Sequence, residues 1–317
     1  MAEPILKPPA VASGARIALV APASNARPDR VRDGMEALRR LGYDPVPAKY
    51  ALGRYAPYFS ATPEHRLADL HQAFTDSEAA AIMCIRGGYG SNYLVEGLDL
   101  DLVRAHPKPF FAYSDMTTLQ AWLLDQAGLV SFHGPMVASD FAVENGVHLD
   151  SFCAALTGGL VEAGAAQGMR VLRPGRARGI VYGGCLSILT AALGTRFAPQ
   201  TEGKLLFLED VGAKPYQVDR MLRHMLLAGK FEGARGFIFG EMMNCGSRGA
   251  DPDLLQQVIL RVLHGFNVPI AIGLRSGHVS RGNVTLPLGI EAALNLENDQ
   301  PLLRYLEPAV AAPAHAS

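Results

Sequence analysis

The chain has 317 residues, a formal net charge of −1, 49% hydrophobic residues and 19% charged ones. That length allows one large domain or two ordinary ones with a real core, and the composition is that of a globular chain rather than a disordered one. The near-zero charge excludes a basic field for nucleic acid and an acidic solvating tail, so function has to come from a site.

The stretch "ARIALVAPASNA" (15–26) imitates the apolar core and small-residue end of a signal peptide. The residues before it, "MAEPILKPPAVASG", contain an acid and three prolines and no basic cluster, so it reads as a first buried strand of a cytoplasmic protein. Residues 27–42 place Val31, Met35, Leu38 and Leu41 at helical spacing, closed by Gly42. A short strand, "DPVPA", follows. Residues 62–76 open with Thr62 as cap, Pro63 at the first helical position and Glu64 in the first turn. Then come a strand (79–86), a short helix (91–98), the strand "KPFFAYS", the helix "DMTTLQAWLLDQAG" and a strand over 129–136. Strands alternating with helices predict βαβ units and a mainly parallel sheet. No apolar run is long enough to cross a membrane.

Between residues 140 and 178 the rhythm breaks into one helix and a Gly/Arg/Pro-rich passage. The boundary falls near 150–170, giving domains 1–155 and 156–317. Beyond it, residues 179–195 begin as a strand and become a helix, and 203–211 form a strand. An amphipathic helix over 215–231 carries Val218, Met221, Leu222, Met225 and Leu226 on one face. Strands over 233–242 and 269–278 flank a helix over 251–266, and the tail "EPAVAAPAHAS" has the composition of a frayed end. No internal repeat is visible.

Parallel sheets put ligands at the carboxyl ends of their strands, and three segments end strands suggestively: "CIRGGYGS" (84–91), "FFAYSDMTT" (110–118) and "VSFHGPM" (130–136). On position alone Ser114 reads first as a helix cap. The hydrolase elbow G-x-S-x-G is absent, because Ala112 and Met116 stand where its glycines would be. A nucleophile there would still have the amide of Asp115 and a helix N-terminus beside it. The glycines of "RGGYGS" let backbone amides approach an anionic oxygen, but neither a dinucleotide fingerprint nor a phosphate loop is present, so no NAD or ATP is implied.

A serine nucleophile needs a base, and the base needs an orienting acceptor. His65, His71, His106, His148, His224, His264 and His315 fall on helices, the linker or the tail, where packing or solvation is the default. His133 ends a strand close to the pocket and reads as a pocket-wall or substrate contact. His278 sits in a Gly-flanked loop just past a strand. "LLFLEDV" delivers Glu209 and Asp210 at a strand end, and only one of the two can aim at the pocket. Cys84, Cys153, Cys185 and Cys245 show no CxxC and no metal spacing, so they read as free thiols, and no metal site or cofactor is expected.

Together these segments resemble the LD-carboxypeptidase family, serine peptidases that include muropeptide LD-carboxypeptidases and microcin C immunity peptidases. The carriers are "VAPAS" (20–24), "IRGGYGS" (85–91), "PKPFFAYSDMTTL" (107–119), "SFHGPM" (131–136), "YGGCLSIL" (182–189), "LFLEDVGAKPYQVDRML" (206–222) and "GHVSRGNVTLPLG" (277–289), in order over nearly the whole chain. The resemblance implies an α/β fold: a Rossmann-like N-terminal domain with a mainly parallel sheet, and a C-terminal α/β domain with barrel-like strands. It implies Ser114 as nucleophile, Glu209 as orienting acid and His278 as base, at a site between the domains, and a homodimer. Ala112 departs from the family's usual glycine, and Ala213 stands where relatives often carry an acid.

The mechanism this suggests is metal-independent hydrolysis of an L,D amide bond near the carboxyl end of a short peptide. The first expected substrate is the cell-wall tetrapeptide, free or on a muropeptide, losing its terminal D-alanine. The amides of Asp115 and of Gly87 or Gly88 would form the oxyanion hole. Arg86 would bind a substrate carboxylate, or pair with Asp115 or another acid instead, and Tyr89 and His133 would line the pocket. A rival substrate is a microcin-like aminoacyl-nucleotide conjugate, which would gain from an aromatic on which to stack its base. Trp122 has the spacing of a buried residue, although a tyrosine could serve. A rival of another class is a small-molecule binding module that uses the Gly-rich loop without turnover.

Overall fold

Alternate residues of the first sheet face two different helix layers. The computed structural model describes residues 5–246 and 251–312. The last part of the expected frayed tail, with His315, lies outside the described residues. Strands β1 (Arg16–Val20), β2 (Asp44–Pro47), β3 (Ala79–Cys84), β4 (Phe110–Ala112) and β5 (Ser131–His133) alternate with helices α1 (Pro28–Arg40), α2 (Pro63–Thr75), α3 (Leu100–Ala105) and α4 (Thr117–Asp125). The strands are parallel in the order β2-β1-β3-β4-β5. Ile17, Leu19 and Met83 pack with Val31 and Leu38 of α1. Ala18, Val20 and Ile82 pack with Leu70 and Phe74 of α2 and with Leu123 of α4. This period-two split buries both faces of a parallel sheet. The strand order is a doubly wound one, but it differs from that of the dinucleotide-binding Rossmann sheet.

Local chemistry sets the helix starts. The hydroxyl of Thr62 accepts from the His65 amide at 3.3 Å, and Pro63 opens α2, as the sequence predicts. Trp122 is buried in α4. The helix expected over 91–98 is a single 3-10 turn, Ser91–Tyr93, and the strand expected over 129–136 is only β5, followed by a π-helical turn, Val137–Phe141. In that turn the Asp140 carboxylate accepts from the Met136 amide at 2.8 Å.

The second half continues with α5 (Leu149–Thr157), β6 (Glu162–Gly164), β7 (Arg170–Arg173), β8 (Arg176–Cys185), α6 (Leu186–Ala191), β9 (Lys204–Glu209), α7 (Pro215–Leu227), β10 (Gly236–Gly240), α8 (Leu254–Val262), β11 (Ile270–Leu274), β12 (Leu286–Leu288), β13 (Glu291–Asn295) and β14 (Leu302–Tyr305). Eight of these strands form a mixed sheet in the order β6-β14-β13-β8-β9-β10-β11-β7. Its centre, β8 to β11, is parallel, and its flanks are antiparallel. The ladder ends at β6 and β7, and among the described residues no pairing joins those two edges. The barrel-like closure expected from the resemblance is therefore corrected to an open mixed sheet.

The strand β12 positions the site. It leaves the second half of the chain and pairs antiparallel with β5 of the first sheet, Leu286 opposite His133 and Leu288 opposite Ser131. The loop between β11 and β12, with His278, is thus strung from one sheet to the other. A second tie is the hydroxyl of Thr117, at the start of α4, which accepts from the Cys185 amide at 3.0 Å. A division near 155/156 leaves one strand of the first sheet on the far side of the boundary.

Candidate active site

Ser114 stands at a sharp turn between β4 and the helix that follows. Tyr113 is extended, and Ser114 has φ 66°, the left-handed region. For a residue with a Cβ this conformation costs about 1–2 kcal/mol, and such strain collects where a side chain must be held out of a regular element. Ser114 then opens a single 3-10 turn, Ser114–Met116, which leads into α4, and neither helix start carries a side-chain cap. The hydroxyl is therefore not used as the cap that its position suggested. The structure provides a nucleophile-elbow backbone without the elbow's glycines.

The Gly-rich loop after β3 closes over this turn. A Cβ on Gly87 would lie 2.7 Å from the Ser114 Cβ, 2.8 Å from its Oγ and 3.6 Å from the Asp115 amide nitrogen. Only glycine brings that backbone against the serine. Gly88 has φ 115°, and the next amide, of Tyr89, donates to the Ser24 hydroxyl at 3.2 Å. Asp115 locks loop to turn. Its carboxylate accepts from the Ser91 amide at 2.8 Å, and its carbonyl accepts from the Ser91 hydroxyl at 2.7 Å. Burial raises the Asp115 carboxyl above its ordinary value, against the bonds from Ser91 and the charge of Arg66.

Glu209 ends β9, fully buried, and points at the β11–β12 loop. Its carboxylate faces His278 Nδ1 at 2.8 Å and accepts from the His278 amide at 3.1 Å. Asp210 turns the other way, accepting from the amides of Ser187 and Val211, both at 2.8 Å, so the strand alternation assigns the two acids as it must. Burial pushes the His278 imidazole down. The bond and charge of Glu209, with the charges of Asp210 and Asp140, outweigh it and leave the ring above its ordinary value of 6.5. The His278 ring meets Tyr113, the residue before Ser114, edge-on at 5.1 Å between centroids. The residue before the serine, the imidazole and the carboxylate thus meet where the two halves of the chain join. A buried carboxylate that fixes an imidazole against the residue before a strained serine is an arrangement that can support acyl transfer.

The other expected residues fall differently. His133 is fully buried behind Glu209, its Nε2 4.0 Å from the carboxylate and its Nδ1 3.0 Å from the Ser276 hydroxyl, so it does not line the pocket. Burial, with the charge of His278, lowers it to about 3 and keeps it neutral. Arg86 is exposed and donates to the Asn25 carbonyl at 3.2 Å, so the suggested pairing with Asp115 is not formed. The cation near Asp115 is Arg66 instead, which is buried and donates to the carbonyls of Gly90, Ala61 and Pro22. A signal existed: Arg66 lies on the stripe of α2 shared with Leu70, Ala73 and Phe74.

Two further features go beyond the sequence reading: the clamp at Asn283, which it did not name, and the rings that surround Tyr89, a residue that it did name. Asn283 holds the His278 loop. Its Oδ1 accepts from the Gly277 amide at 3.0 Å, and its Nδ2 donates to the Gly277 carbonyl at 3.1 Å and to Asp140 at 3.0 Å. Tyr89 belongs to an aromatic wall with the exposed Tyr58 and Tyr93 and the half-buried Phe59, whose neighbouring ring centroids lie 4.6–6.1 Å apart. Tyr89, Tyr93 and Asp115 line a cleft of about 820 Å³ that also reaches Ile188 and Phe197.

Comparisons agree with this construction. Residues 17–134 match the LD-carboxypeptidase N-terminal domain, and residues 178–294 match the LD-carboxypeptidase C-terminal domain. A Bacillus subtilis protein named "Probable murein peptide carboxypeptidase" is 36% identical over 91% of this chain and 91% of its own length. A structure of the microcin C7 self-immunity protein, a protein known in Escherichia coli, covers 96% of this chain and 100% of its own at 25% identity, with a TM-score of 0.88. That protein has also been solved with adenosine monophosphate and with aspartyl sulfamoyl adenosine. A muramoyltetrapeptide carboxypeptidase from Oxalobacter formigenes covers 94% and 100% at 25% identity, with a TM-score of 0.81. The chain belongs to the LD-carboxypeptidase family and is a serine-type hydrolase of the carboxypeptidase class.

Proposed function

We propose that Ser114 attacks the carbonyl of an amide bond near the carboxyl end of a small peptide-like substrate. His278 takes the proton of the Ser114 hydroxyl through Nε2 and returns it to the leaving amine. Glu209 holds Nδ1 protonated and stabilises the imidazolium. The amides of Asp115 and of Gly87 or Gly88 receive the oxyanion. Water then attacks the acyl-enzyme with His278 again as base. The observation that carries this reading is the Glu209–His278 pair, 2.8 Å apart, with the His278 ring against Tyr113, the neighbour of a serine in the left-handed region. Arg86, exposed beside the glycine loop, is the cation offered to a substrate carboxylate.

The substrate class best supported is an aminoacyl-nucleotide conjugate of the microcin type. The exposed rings of Tyr58, Tyr89 and Tyr93 give a planar base a surface on which to stack, worth roughly 1–3 kcal/mol per base. The likeness to the self-immunity protein with its nucleotide ligands points the same way. This reverses the order of substrates that the sequence suggests. A cell-wall tetrapeptide losing D-alanine is the second reading, favoured by the 36% identity to the Bacillus subtilis protein.

The two readings separate in one assay. The protein is incubated with an aspartyl sulfamoyl adenosine-type conjugate carrying a hydrolysable amide, and separately with L-Ala-D-Glu-meso-diaminopimelate-D-Ala. Products are read by mass spectrometry. The first reading expects faster cleavage of the conjugate; release of D-alanine alone would overturn it in favour of the second.

A further inference from the structure

A third side chain meets the Glu209–His278 pair. Cys185, at the end of β8, is buried, and its sulfur, a carboxylate oxygen of Glu209 and a ring nitrogen of His278 all lie within 4.8 Å of one another. We propose that these three side chains form an inhibitory site for a soft divalent cation such as Zn²⁺ or Cd²⁺.

The donor set suits such an ion. Thiolate, imidazole and carboxylate are its usual ligands, with bonds of about 2.0–2.3 Å to zinc. Such bonds need the sulfur to draw in and the Glu209–His278 contact of 2.8 Å to open somewhat. The Cys185 sulfur makes a weak contact of 3.3 Å to the Ser187 hydroxyl, which coordination would replace. The His278 side chain is partly exposed, so water can reach the cluster as a fourth ligand.

Charge balance favours occupancy. Without metal the three groups hold a neutral thiol, a carboxylate and a neutral imidazole. Coordination sends the thiol proton to solvent and leaves two anions around one dication, so a buried net charge is cancelled. The cost falls on catalysis. The cation takes the carboxylate and the imidazole face that Glu209 and His278 now share, so the base loses its orienting partner. The fold assembles this cluster from β8, β9 and the β11–β12 loop, which is why no sequence spacing announces it.

The inhibitory role rests on His278 and Glu209 acting as base and orienting acid; the binding itself does not. The test uses the full chain with Cys153→Ser, which removes the exposed thiol, and the same chain with Cys185→Ala added. Each is titrated with CdCl₂ while the ultraviolet sulfur-to-cadmium band and turnover are followed, before and after EDTA. In the Cys153→Ser protein a band saturating at one equivalent should appear as turnover falls, with both effects reversed by EDTA. Adding Cys185→Ala should remove the band and raise the inhibitory concentration at least about tenfold, a loss that even an outer-shell ligand partner causes. An unchanged band and unchanged inhibition without Cys185, or no band in its presence, would overturn the site. A band lost with Cys185 but without effect on turnover would overturn the inhibitory role and count against His278 as the base. Should Cys185→Ala not fold, Cys185→Ser is read in the same way.

Discussion

The carboxylate of Glu209 holds His278 at two points, the ring Nδ1 at 2.8 Å and the backbone amide at 3.1 Å. One buried acid thereby sets both the orientation of the imidazole and the path of the loop that carries it. Glu209→Gln keeps the size of the group but loses the charge that stabilises an imidazolium. Turnover should fall by about 10⁴-fold, the size of loss known for an orienting acid converted to its amide. A fall of less than about tenfold in steady-state kcat would contradict the role assigned to Glu209.

The pH profile follows from the same pair. A general base must be neutral to accept a proton, and His278 lies above 6.5 because Glu209, Asp210 and Asp140 outweigh its burial. The acid limb of kcat/KM should therefore sit above the ordinary imidazole value and move to lower pH in Glu209→Gln. For stability the sign is opposite. The raised value means that the pair contributes most below 6.5, and that contribution is lost as the pH rises through the folded value. Rate profiles of the two proteins check the first statement, and unfolding midpoints of wild type against His278→Ala across pH check the second.

Asn283 is a positioning residue, since it touches Gly277 and Asp140 but not the proposed reacting atoms. Asn283→Ala leaves the Gly277 amide and carbonyl without their side-chain partner, a loss of roughly 2–6 kcal/mol at about 1–3 per group. Because the loop that frees itself carries His278, kcat should fall with KM little changed. Denaturant unfolding gives the stability loss and steady-state kinetics the split. A rise in KM alone would argue for a direct substrate contact instead.

Gly277 has φ 90°, and a Cβ there would stand 2.7 Å from the Glu209 carboxyl carbon and 2.8 Å from His133 Cε1. Gly277→Ala should cost about 1–2 kcal/mol from the backbone conformation alone, and more from pushing Glu209 away. Loss of activity in a folded protein, shown by an unchanged circular dichroism spectrum, is the expected outcome. Full activity would mean that Glu209 is not held as tightly as its packing implies.

The aromatic wall gives a prediction about substrates. Tyr93 is 55% exposed, and truncating it leaves the core untouched. Tyr93→Ala should weaken an aminoacyl-nucleotide conjugate by about tenfold in KM, the lower range for one base stack, and leave a bare tetrapeptide unaffected. Equal losses on both substrates would remove the stacking argument.

Much of this architecture was legible as pattern. The period-two alternation of Ile17 through Met83 and the Thr62-Pro63 start of α2 depend on local chemistry, which a sequence displays. The site was legible only in part. Serine is not a residue that announces φ 66°, so Ser114 read first as a cap, and the elbow emerged only with the backbone. The strand β12 is three residues long with a central proline, so its crossing to the first sheet, which carries His278 to Tyr113, looked like loop. His133 and Glu209 both end strands and both are fully buried, yet only Glu209 holds the His278 ring, because which loop a strand end faces depends on long-range packing that no local pattern encodes. The clamps of Asn283 and Arg66 likewise join residues far apart in the chain, so they appear only once the fold brings them together.

The central claim is that Ser114 is the nucleophile. Its most direct test is turnover of Ser114→Ala on whichever substrate the wild-type protein cleaves, with product counted by mass spectrometry and the fold checked by thermal unfolding. The proposed mechanism predicts a loss of about 10⁴-fold or more in a protein that unfolds no earlier than wild type. Near-wild-type turnover in a folded Ser114→Ala protein would contradict it.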